Sequence, residues 1–60
     1  MAQAAGVRVL GRDGTERTFP EGRSVTRDGN ADFEIRDAAG SIIATRRRES
    51  VEEIEVVYQG

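Results

Sequence analysis

Hydrophobic residues in this chain alternate with polar ones in short runs, and glycine-bearing segments separate the runs. A period of two marks strands with one buried face, because successive side chains of a strand point to opposite sides of its sheet. The pattern predicts strands at Val7 to Leu10, Thr15 to Phe19, Arg23 to Arg27, Ala31 to Asp37, Ser41 to Thr45 and Val51 to Tyr58. The fold class read from it is all-β, a small antiparallel β-meander of five to six strands, left open or curled into an open barrel.

Turn chemistry sets the expected register. Directly opposed residues of an antiparallel pair share a face, so a slip of one residue inverts a strand. An Arg12-Asp13-Gly14 loop with Gly14 left-handed places Val7 opposite Phe19, whereas a two-residue Asp13-Gly14 turn would place Arg8 there. By the same argument Asp28-Gly29-Asn30, with Asn30 left-handed, sets Val25 opposite Phe33. Asp37-Ala38-Ala39-Gly40 sets Ile35 opposite Ile43 and turns Ile42 outward; a loop one residue longer would bury Ile42 and Ala44 instead. Pro20-Glu21-Gly22 separates the second and third strands. The core expected from these registers is Val7, Val9, Phe19, Val25, Phe33, Ile35, Ile43, Ile54 and Val56.

Two periods compete after Arg46. Ser50-Val51-Glu52-Glu53 has the form of a helix capping box, and Val51, Ile54 and Tyr58 stand at helical spacing. Ile54, Val56 and Tyr58 also alternate with polar neighbours, and β-branched side chains favour a pleated surface. A strand is the preferred reading, with at most one short helical turn near residues 48–52.

Sixty residues make one domain, here read as residues 1–60 with 1–5 as a flexible N-terminal tail. A chain this short buries only about 60% of its unfolded surface, so a small core is expected to need help from a partner. With neither cysteine nor histidine in the sequence, disulfides and the usual zinc ligand sets are excluded, and no cofactor or metal is expected. No apolar run approaches membrane-spanning length and no signal peptide is evident, so the expected setting is the cytoplasm or a phage particle, with no membrane partner.

The formal net charge of −2 gives no global attraction for nucleic acid, and all nine basic residues are arginine. Ser24, Ser41 and Ser50 have no histidine or lysine to act as base, and the acidic pairs Asp32/Glu34 and Glu53/Glu55 read as solvated strand faces rather than catalytic carboxylates. No enzyme activity is expected. Asp28-Gly29-Asn30-Ala31-Asp32 lacks the ligand spacing of a calcium loop and reads as a turn. Arg46, Arg47 and Arg48 are the densest charge and the candidate nucleic-acid contact, although Glu49, Glu52 and Glu53 follow directly. Leu10, Ile42 and Val57 fall on the face opposite the expected core and form the candidate protein interface.

Together these observations point to a non-catalytic protein-interaction or self-association module, an accessory or structural subunit with a homo-oligomeric or hetero-partner. A small nucleic-acid-binding β protein using the arginine cluster is the first alternative. An accessory subunit lending carboxylates to a shared enzyme site is the second.

Overall fold

A computed structural model describes residues 3–59. Its strands are β1 (Gln3–Gly11), β2 (Glu16–Phe19), β3 (Ser24–Arg27), β4 (Phe33–Arg36), β5 (Ile42–Arg46) and β6 (Val51–Gln59), with one 3-10 turn at Arg48–Ser50 ahead of β6. The all-β, antiparallel reading holds, and the strands divide into two three-stranded sheets, ordered β2-β1-β6 and β3-β4-β5, that do not close into a barrel. The meander is therefore confined to β3, β4 and β5, and the last strand returns to pair with the first. β1 begins at Gln3, opposite Gln59, so residues 3–5 of the expected tail belong to a strand; Met1 and Ala2 lie outside the described residues. No helix among the described residues is long and apolar enough to cross a membrane.

One loop design serves all three hairpins. In the first, the Gly11 amide donates to the Thr15 carbonyl at 2.7 Å and the Gly14 amide to the Gly11 carbonyl at 3.0 Å. Asp28 to Asp32 and Asp37 to Ser41 repeat both bonds. The fourth residue of each loop has positive φ: Gly14 at 90°, Ala31 at 64° and Gly40 at 86°. This is a type I turn followed by a left-handed bulge residue, which is where glycine is favoured. An aspartate carboxylate secures each loop. Asp28 accepts from the Asn30 and Asp32 amides, Asp37 from those of Ala39 and Ser41, and Asp13 from that of Thr15.

These loops decide the registers. Val7 pairs with Phe19 as expected. In the second hairpin the loop sits one residue later, so Ala31 rather than Asn30 is left-handed and Val25 pairs with Ile35 instead of Phe33. The shift moves the partner by two positions and leaves the buried face unchanged. The third loop lies where the sequence placed it, with Ile42 opposite Arg36, but a bulge at Ile43 brings Ala44 opposite Ile35. Ile43 is consequently exposed, and Ala44 packs against the core in its place.

A second bulge explains the two competing periods near the C-terminus. Gly11 pairs with Val51 and Leu10 with Glu53, leaving Glu52 as the extra residue. Passing over one position turns Val51 inward together with Ile54 and Val56, so a helical spacing arises inside a strand.

The inner faces of the two sheets meet in a small core. Val7, Val9, Ile35 and Val51 are buried, with Phe19, Val25, Phe33, Ala44, Ile54 and Val56 packed around them. The smallest dimension of the Cα trace is 15 Å, as expected for two layers about 10 Å apart. The chain changes sheets through a turn at Phe19 to Gly22, closed by the Gly22 amide on the Phe19 carbonyl at 3.0 Å. The Arg23 guanidinium secures the crossing by donating to the Pro20 and Gly22 carbonyls, each at 2.7 Å.

Candidate functional site

Register places arginines on inward faces at the edges of both sheets. Arg17 stands opposite Val9, and Arg46 opposite Phe33, so both project to the core side of their strands. β2 and β5 are edge strands, and there these side chains find an aromatic ring rather than a closed interior. The Arg17 guanidinium carbon lies 5.2 Å from the centroid of the Phe19 ring and that of Arg46 5.1 Å from the same centroid. Both distances fall within the cation–π range. Arg27 repeats the device over Phe33 at 4.7 Å.

An open cleft of about 550 Å³, lined by Arg17 and Arg46, runs between β1, the first hairpin, β5 and the 3-10 turn. Buried Val9 and Val51 line it, together with Gly11, Arg12, Asp13, Thr15, Glu16, Arg17, Arg46 and Ser50. The Arg12 amide donates to the Ser50 carbonyl at 3.0 Å, which joins the hairpin to the start of β6.

Carboxylates of this wall have partners already. The Thr15 hydroxyl and amide donate to Asp13 Oδ1 at 2.6 and 3.0 Å, and the hydroxyl first, then the amide, hold the Asp13 carboxyl below the usual aspartate range. Glu16 accepts from Arg8 at 2.8 Å on the outer face of its sheet. There Arg8 also bonds Glu55 at 2.9 Å and approaches Glu53 at 3.7 Å. Hydrogen bonds to Glu55 and then Glu16 raise its pKa further, so it stays charged at any ordinary pH.

Leu10, Ile42 and Val57 are not brought together. Leu10, half-buried opposite Glu16 and Glu53, and Val57, opposite Gly6, share the outer face of the β2-β1-β6 sheet with the Arg8–Glu55 pair between them. Ile42 lies on the other sheet, opposite Arg36. Arg46, Arg47 and Arg48 have separate surroundings. Arg46 lies over Phe19, Arg47 is ion-paired to Glu49 at 3.0 Å, and Arg48 opens the 3-10 turn, its amide donating to Asp32 Oδ1 at 3.2 Å.

Arg12, Arg17 and Thr15 were not singled out from the sequence, yet one signal for Arg17 was present. The loop that sets Val7 against Phe19 also sets Arg17 against Val9, an arginine in a core-facing position. Among the described residues the large hydrophobics left exposed are Ile42 (46%), Ile43 (39%), Val57 (37%) and Tyr58 (63%). All of them fall on β5 and β6, each at the edge of its sheet. No family model matches the chain, and no curated protein or solved structure matches it.

Proposed function

We propose that the chain is a non-catalytic protein-interaction module that enters a larger assembly through the free edges of β5 and β6. The observation that carries this reading is that, among the described residues, the exposed large hydrophobics are confined to those two strands. An edge strand offers unpaired amides and carbonyls to another chain, and apolar side chains beside them add buried area to the pairing. Protective charge covers only part of these edges. Glu52, Glu53 and Glu55 guard the first half of β6, while Val56 to Gln59 and Ile42 to Thr45 carry no charge.

Self-association is the simplest form of this activity, and sedimentation or light scattering over a dilution series tests it. Wild-type protein should show a concentration-dependent mass, with Ile42→Asp and Val57→Asp shifted toward monomer. A partner of different sequence would be retained by the immobilised wild-type protein and released by the same substitutions. A folded monomer at every concentration, with both substitutions silent in the retention assay, would sink the proposal.

A further inference from the structure

Two of the arginines that lack a carboxylate partner lie around Phe19 and line one cleft. Among the described residues Arg8, Arg12, Arg36 and Arg47 each have a carboxylate oxygen within 4.0 Å, whereas Arg17, Arg23, Arg27, Arg46 and Arg48 have none. Arg17 and Arg46 come from opposite sheets to one ring, both guanidiniums lying about 5 Å from its centroid, and both residues line the cleft. Arg12, whose nearest carboxylate stands at 4.0 Å, lines the same space. Of the acidic residues in the wall, Glu16 is paired with Arg8 on the opposite face, and Asp13, held by Thr15, keeps its charge but has no cation within 4.0 Å among the described residues, so Arg12, Arg17 and Arg46 outnumber it. Two cations that line one cleft without a carboxylate partner favour an anion there.

We propose that this cleft binds a small organic phosphate monoester. Its dianion would sit between Arg17 and Arg46, and its organic body would lie on Val9 and Val51. A guanidinium over an aromatic ring keeps its in-plane N–H groups free, and that planar fork matches phosphate oxygens two at a time. Arg46 commits one such donor, to the Thr45 carbonyl at 2.6 Å. The choice of a dianion follows from the two unpaired cations, and that of an organic ester from the buried apolar floor. A volume of about 550 Å³ falls within the range that encloses small ligands. The site makes no use of the exposed hydrophobics of β5 and β6.

The test titrates the intact protein with phenyl phosphate at low salt, by calorimetry and by amide chemical shifts. The shifts should concentrate at Val9, Gly11, Arg17, Arg46 and Val51, with affinity rising as pH climbs through the second phosphate pKa of about 6. Arg17→Gln and Arg46→Gln should each lower affinity at least ten-fold, and Arg17→Lys and Arg46→Lys, which keep charge but lose the fork, by less. Arg27→Gln, which removes the equivalent stack on Phe33, and Ile42→Asp should leave it unchanged, separating this site from the strand edges. Inorganic phosphate and benzoate should bind more weakly than phenyl phosphate. Absent or scattered shifts, or Gln variants with wild-type affinity and a well-dispersed spectrum, would overturn the assignment. So would benzoate or inorganic phosphate binding as tightly as the ester, or an oligonucleotide displacing it with a salt dependence spanning several phosphates.

Discussion

Ala31 holds a backbone conformation, φ 64°, that the equivalent loops assign to glycine. A left-handed non-glycine residue costs about 1–2 kcal/mol, while glycine adds roughly 0.4–1 kcal/mol of unfolded-chain entropy. Relief of strain wins, so Ala31→Gly should stabilise the fold by on the order of 0.5–1 kcal/mol, read from the urea midpoint. Asp13 shows a second local effect. Because its carboxyl titrates below the usual aspartate range when folded, its contribution to stability is complete above that range and disappears as pH falls through the lowered value. Thr15→Val removes the hydroxyl that is the main cause, so NMR titration should find the Asp13 carboxyl moved back up toward the ordinary value, with the retained amide bond limiting the change. An unmoved titration would show that the hydroxyl is not the cause.

At the scale of elements, the crossing from β2 to β3 depends on the absence of a side chain. A Cβ built on Gly22 would stand 2.7 Å from Val7 Cγ2 and 3.1 Å from Ile35 Cγ2, and those two side chains are the most deeply buried in the core. They have little room to yield, so Gly22→Ala should destabilise by about 1–3 kcal/mol through overpacking alone. Gly14→Ala would act instead through backbone strain, since nothing lies within 4 Å of its Cβ position. The strand patterns and turn positions that frame these elements were largely legible in the sequence. Bulges at Ile43 and Glu52 were not, because a bulge changes inward parity at one residue and leaves no compositional mark. Hence Ile43 was expected inside and Val51 was not.

Across the whole molecule, the first and last strands carry the longest ladder, from Gln3 opposite Gln59 to Gly11 opposite Val51. β6 also brings Val51, Ile54 and Val56 to the core, so no stable sheet remains around β1 without it. A chain ending at Ser50 should lose amide dispersion and cooperative unfolding, and a peptide spanning residues 51–59 added in trans should restore both. At roughly 0.05–0.15 kcal/mol per residue, total stability for this length is only about 3–9 kcal/mol. A single core error such as Gly22→Ala therefore removes a large share of it. Partner binding at the strand edges would add stability by mass action.

By itself the sequence determined the class of fold, the buried side of β2, β3 and β4, and the positions of the turns to within one residue. Local rules suffice for these, since strand period and loop chemistry act within a few residues. The candidate site was only partly legible: Arg46 stood out for its neighbours in sequence, but it lies over the Phe19 ring, which Arg17 also approaches. Only the tertiary structure decided that the strands form two sheets, that β6 returns to β1, and that the arginines from opposite sheets face one ring. Such pairings join residues far apart along the chain, where the choice depends on how complete faces fit rather than on any local preference.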